Sequence, residues 1–352
     1  MNSRVTHNFN FKATGIGSVP HLDIRATCKN ILELIPDIPF WPQLVNLGPG
    51  EDMNIQYSEG LPLIKVDEEN RSITVSSDDR ETELVTFYDH FLSEDIDYFA
   101  IGNDYAAGLD AQIRLVNKDP DQYGDYIKGH SVGPLTFSAS VTEEDGKSAL
   151  FNPEILEAFT RGLAIKALWQ IRKLESTGKK VIFFLDEPYL SGFGSAFTSI
   201  QREEVIASLK EVIDYIHEHS GALVGIHCCG NTDWSMIIDS GPDIVNFDAF
   251  AFMDYFLLYP DDIKRFINDY GGIIAWGIIP TSDLTDSESV ENLFSKLQAG
   301  IHRLHEWGIA PELVAGNSII TPACGMGSMD PASSDRVLTL LSELSIKCRD
   351  LV

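Results

Sequence analysis

The chain has 352 residues, 44% hydrophobic and 22% charged, enough for one large domain or two ordinary ones with a core that needs no staple. Against 26 lysines and arginines stand 53 acidic residues, a net charge of −27, which argues against nucleic acid and an anionic membrane surface as partners. Five cysteines, Cys28, Cys228, Cys229, Cys324 and Cys348, are too few and too scattered for a disulfide framework.

The opening "MNSRVTHNFNFKATG" has no apolar h-region, and no run approaches the roughly 18 apolar residues of a membrane span. A reducing, cytoplasmic setting is therefore expected. "TGIGSVP" (14–20) reads as a first strand with its exit loop and "PFWPQLVNL" (39–47) as a second. "LPLIKVDEENRSITVSS" (61–77) reads as a β-hairpin with a polar turn, and "DYFAIGND" (97–104) as a third strand.

From residue 129 onward the pattern is regular. β-like runs occur at 129–137, 179–188, 221–229, 243–250, 271–279 and 313–325. Apolar residues at helical spacing fill 153–177, 201–219, 288–307 and 332–347. Strands alternating with helices imply βαβ units and a parallel sheet. About eight or nine such units fit an α/β (β/α)8 TIM barrel better than an open sheet. The whole of 1–352 is thus expected to be one catalytic barrel, with the hairpin as an insertion in its N-terminal third. "GFGSAF" (192–197) lacks the third glycine of a dinucleotide fingerprint and is discounted.

The chemistry concentrates in "GIHCCGNT" (225–232). Alternate side chains of a strand share a face, so His227 and Cys229 point together and Cys228 points away. An H-x-C pair at a strand end is a bidentate ligand set, and Cys228 reads as a packed small hydrophobe. Cys324, in "IITPACGMGS", ends another strand-like run. Imidazole and two thiolates suit zinc with a fourth position left open. Four predicted strand ends deliver Asp186 and Glu187, His227 and Cys229, Asp248, and Cys324, to the rim where barrel enzymes build their sites. The bland alternatives are a buried inert cysteine pair, a solvated "LDEP" loop and a strand-end cap at Asp248. Cys28 and Cys348 are assigned no role. His302 and His305 are placed on the outer side of a helix.

In order along the chain, "GIGSVP", "FFLDEP", "HCCGN", "VNFDAF" and "TPACG" resemble the catalytic barrel of cobalamin-independent methionine synthase. "HCCGNT" is also similar to the H-x-C-G-N-T of corrinoid-dependent coenzyme M methyltransferases, which share the barrel of uroporphyrinogen decarboxylase. The resemblance spans about residues 14 to 345.

It implies a zinc-dependent methyltransferase with His227, Cys229 and Cys324 as zinc ligands and catalytic centre, and Asp248 as a displaceable fourth ligand. It further implies Ile16, Gly17 and Ser18 for the carboxylate of homocysteine, Asp186 for its ammonium group, and Glu51 as a second ammonium contact. Two departures shape the expected donor. The loop "WGIIPTSDL" (276–284) lacks the histidine that assists proton transfer in the synthases. A chain of 352 residues is also expected to lack their second, folate-binding barrel, which favours a methyl-corrinoid or corrinoid protein. With only Arg4 and Arg25 before residue 70, porphyrin decarboxylation is disfavoured. The rival readings are a zinc hydrolase using Glu187 or Asp186 as base, and a zinc-storage or corrinoid-handling protein.

Overall fold

The computed structural model describes residues 7–194, 200–282, 284–285 and 287–349. Arg4, part of "GFGSAF" and Asp283 lie outside the described residues. The strands are β1 (Lys12–Ala13), β2 (Ser18–Val19), β3 (Gln43–Leu44), β4 (Ile64–Asp67), β5 (Ser72–Val75) and β6 (Tyr126–Val132). They continue as β7 (Val141–Thr142), β8 (Lys180–Asp186), β9 (Leu223–Cys228), β10 (Ile244–Phe247), β11 (Ile273–Ile279) and β12 (Ser318–Pro322).

One seven-stranded sheet runs β1-β12-β11-β10-β9-β8-β6, with parallel pairing throughout. Its two edges are joined through the parallel β2–β3 pair and a bridge from Phe40 to Lys128 on β6. The result is the TIM-barrel-like α/β fold expected from the alternation. Strands such as "IIAWGII" of β11 are buried along their whole length, as parallel strands covered on both faces must be.

Local signals set the helix ends. Asn152 with Pro153 starts Pro153–Glu175, a proline being preorganised at a first helical position. Gln201 and Glu204 form a capping box for Arg202–His219. Gly271, at φ 71°, closes Pro260–Tyr270 in the left-handed conformation and passes the chain to β11. Among the described residues, no helix is long and apolar enough to cross a membrane.

Two apolar clusters divide the interior. The larger fills the space between strands and helices. The smaller plugs the barrel axis with Ile182, Phe184, Ile244, Ile273, Ala275 and Ile319. Phe184 and Ile182 share a face with Asp186, and Ile244 with Asn246. The axis is thus apolar at the base and polar towards the carboxyl ends of the strands, where Lys128, His130, His227, Asn246 and Thr321 are all buried.

The hairpin is present as antiparallel β4–β5, with Asp67 opposite Ser72. A third strand, β7, adds to it in parallel, which its two-residue length hides in the sequence. Three expectations are corrected. The run at 97–104 forms no strand: Ile96–Phe99 is a 3-10 helix, and the barrel strand after β3 is β6. "PLTF" in 129–137 is helical, since Gly133-Pro134 starts Pro134–Ser140. The first part of 313–325 belongs to the helix Pro311–Gly316.

Candidate metal and substrate site

His227, Cys229 and Cys324 converge: one ligand atom from each lies within 4.8 Å of the others. Their placement follows from register. Asp186 of β8 stands opposite His227 of β9, and His227 opposite Asn246 of β10. Cys324 arrives two residues past the end of β12, whose exit is tied by the Ala323 N–H to the Ile279 carbonyl. Cys228 points outward into the apolar layer and is fully buried there, as the alternation rule requires.

The imidazole of His227 is set by its neighbours. The Asn246 Nδ2 donates to the Ala275 carbonyl and to Thr321 Oγ1, both at 2.8 Å. A carbonyl can only accept, so the amide is oriented with Oδ1 towards His227 Nδ1, at 2.5 Å. Nδ1 therefore carries a proton, and in the neutral ring Nε2 presents its lone pair. That Nε2 is buried and has no hydrogen-bond partner, an expensive state for a polar atom unless a ligand takes it. This hydrogen bond fixes tautomer and ring angle, as the outer partners of metal-binding histidines do.

Electrostatics point the same way. The Cys229 thiol is pulled down to about 4, first by the Cys324 S–H and then by His227, while burial opposes it. Cys324 moves up, because the neighbouring Cys229 claims the negative charge and burial adds to it. Burial opposes charge on His227, but Cys229 and Asp186 outweigh it and raise its pKa. Two sulfurs and an imidazole sharing protons in a partly enclosed site form a donor set suited to a thiophilic cation such as zinc. The orphaned Nε2 and the sulfur pair thus fit a metal.

These three residues line a cavity of about 480 Å³ together with Ile16, Ser18, Asp186, Asp52 and Arg71, a size suited to a small molecule. The Ile16–Ser18 segment is moored to the Cys324 loop. The Met326 N–H donates to the Ser18 carbonyl at 2.9 Å, and the Gly327 N–H to Ser18 Oγ at 3.2 Å. A side chain at Gly17 would run into the His130 ring, so glycine permits this close approach. Asp186 keeps one buried oxygen, Oδ1, without a partner. Burial lifts its carboxyl to about 6, with His227 and Lys128 holding it back.

Two expected residues are placed otherwise. Glu51 is buried away from the cavity lining. Its carboxylate accepts from the N–H groups of Leu44 at 3.0 Å and Ala107 at 2.9 Å, so it braces backbone. Asp248 lies beside the site but outside the three-ligand cluster. Its Oδ1 accepts from the Ala251 N–H at 2.8 Å and caps the helix Ala249–Phe256. Glu187 is also spent: it accepts from the Leu135 and Thr136 N–H groups and the Thr136 hydroxyl.

The sequence reading missed three buried polar residues. Lys128 donates to the Ile16 carbonyl at 2.6 Å and lies over the Phe184 ring; burial pushes it down to about 7, with Asp186 opposing. His130 stacks on Trp41 at 4.2 Å, with neither ring nitrogen hydrogen-bonded. Asn246 orients His227. Their available signal was polar residues at alternate positions of "YIKGHSV" and "IVNF", facing the barrel axis.

No family model and no curated protein matches the sequence. Among solved structures the chain is similar to a fungal β-1,4-galactanase, with a TM-score of 0.38 and 14% identity over 68% of this chain and 83% of that one. It is also similar to a GH113 β-1,4-mannanase, with a TM-score of 0.28 and 10% identity over 67% of this chain and 92% of that one. Likenesses of this degree carry no argument about chemistry.

Proposed function

We propose that this protein is a zinc-dependent methyltransferase of the cytoplasm that methylates a small thiol. Homocysteine, giving methionine, is the thiol its mouth fits best, and a methyl-corrinoid is the donor. The observation that carries the reading is the His227–Cys229–Cys324 cluster within 4.8 Å at the carboxyl ends of the strands. The sequence resemblance to the methionine synthase barrel supports it.

His227 Nε2 and the sulfurs of Cys229 and Cys324 would hold the ion. Bound there, zinc supplies the Lewis acidity that makes an incoming thiol a thiolate at neutral pH. Two cysteine thiolates offset the ion's charge, which preserves the nucleophilicity of that sulfur and disfavours water activation, the hydrolase alternative. The protein's own part is positioning. Asp186 offers an unpartnered carboxylate oxygen to an ammonium group. Ser18 Oγ, already accepting from the Gly327 N–H, still has its hydroxyl proton to donate to a carboxylate. Asn246 holds the His227 ring.

The test is methyl transfer by purified zinc-loaded protein, with homocysteine as acceptor and methylcobalamin, a methyl-corrinoid protein or methyl-folate supplied in parallel. Methionine formed from a corrinoid donor supports the reading. Methylation of only a thiol without an amino group moves the function to the coenzyme-M type, and no transfer to any thiol defeats it.

A further inference from the structure

Charge on the cavity wall is lopsided. Asp52 and Asp186 line it, and among the described residues Arg71 is the one lysine or arginine that does so. Arg71 belongs to the hairpin, not to the barrel. It is the last residue of the turn between Asp67 and Ser72, which face each other at the end of β4–β5. The turn is fixed from its other side: Asn70 donates from its backbone N–H and from its side-chain amide to the two oxygens of Asp67. Arg71 adopts a left-handed backbone, at φ 49°, a position where glycine is the low-cost residue and a long side chain is disfavoured.

Lys65, the other cation of the hairpin, is paired with Asp78 at 2.7 Å. Arg71 lines the cavity and makes no ion pair or side-chain hydrogen bond among the described residues, so its guanidinium donors are uncommitted. In a chain of net charge −27 an anionic ligand is repelled from most of the surface, and a lone cation at the entrance carries correspondingly more weight.

We infer that the inserted hairpin is an anion-recognition arm: Arg71 binds the carboxylate of the small molecule in the mouth and selects thiols that carry an acidic group over those that do not. The inference deepens the proposed function and rests on it for the orientation of the ligand, sulfur inward and carboxylate towards the hairpin. It adds what Ser18 cannot give, since a neutral hydroxyl offers a hydrogen bond but no charge, whereas a guanidinium can pair with both carboxylate oxygens.

The test uses the full-length zinc-loaded protein and a ligand pair that lacks a free thiol. Methionine and 3-(methylthio)propylamine, the same chain without the carboxylate, are titrated calorimetrically into the parent, Arg71→Ala and Arg71→Lys. Thermal unfolding confirms that each variant is folded. Arg71→Ala is expected to weaken methionine by about tenfold or more, the scale of a lost charge partner in a partly enclosed site, and to leave the amine unchanged. Arg71→Lys should restore part of the loss. Equal methionine binding in parent and Arg71→Ala, or a parent that does not bind methionine, overturns the inference. A cobalt-substituted parent whose visible spectrum ignores homocysteine, while methionine binding still depends on Arg71, sinks the thiol reading and supports the anion arm.

Discussion

The replacement of Asn246 by alanine isolates the contact that orients the His227 ring. The parent amide makes three contacts, to His227 Nδ1 at 2.5 Å and to the Ala275 carbonyl and Thr321 Oγ1 at 2.8 Å. Without it, Nδ1 has no acceptor, the imidazole loses its enforced tautomer, and the ring can turn in the cavity left behind. Loss of such an outer partner typically lowers metal affinity by about 10- to 100-fold, or roughly 1.4 to 2.7 kcal/mol. The unpaired buried groups should also lower the stability of the metal-free protein by about 1–3 kcal/mol. The assay is competition for zinc against a chromophoric chelator, with thermal unfolding of the metal-free forms in parallel. Asn246→Asp is the control: it keeps an acceptor for Nδ1 and loses the amide donor to Ala275 and Thr321, so its zinc affinity should stay nearer the parent's. An alanine variant that binds zinc within about threefold of the parent would refute the claim that this contact sets the ligand.

Cys229→Ser and Cys324→Ser should lose zinc while Cys228→Ser keeps it, measured as metal per chain after dialysis; equal loss in Cys228→Ser would mean the strand-face argument is wrong. Asp186→Asn should weaken homocysteine by several kcal/mol, on the order of 2–5 for a buried charge left unpaired, with zinc content unchanged and simple thiols indifferent to it. Lys166, buried with its ammonium on the Phe99 carbonyl, is pushed from 10.5 down to about 7 by burial. Between those values the unfolded chain binds the extra proton, so this residue makes stability rise with pH. Chemical unfolding of Lys166→Met at several pH values should show a flatter rise above pH 7 than the parent, and an unchanged slope would count against a buried, proton-releasing lysine.

The cluster of His227, Cys229 and Cys324 was legible because a strand has period two and because barrel strands end at one rim. The hairpin was legible from its alternation and polar turn. Other features depend on which strands meet, which a local pattern does not encode. Asn246 matters because β10 pairs with β9 in a register that sets it opposite His227. Lys128 sits on β6 opposite Ile182 of β8, and its contact with the Ile16 carbonyl joins residues 112 positions apart in the chain. Glu51 was implied by the resemblance alone, as a second ammonium contact; the fold satisfies its carboxylate with backbone N–H groups. The N-terminal strands were hardest, since β1, β2 and β3 have two residues each. The apolar run near residue 97 fills the core through Phe99 and Ile101 without joining the sheet.

The central claim is that the cysteine–histidine cluster holds a metal whose open position takes the substrate's sulfur. Metal K-edge X-ray absorption of the zinc-loaded protein, with and without homocysteine, tests it most directly. The account predicts two sulfur scatterers and one imidazole nitrogen from His227, Cys229 and Cys324, near 2.3 and 2.0–2.1 Å respectively, and a third sulfur when homocysteine is added. Zinc that binds without sulfur ligands, or a sulfur count that homocysteine leaves unchanged, would contradict it.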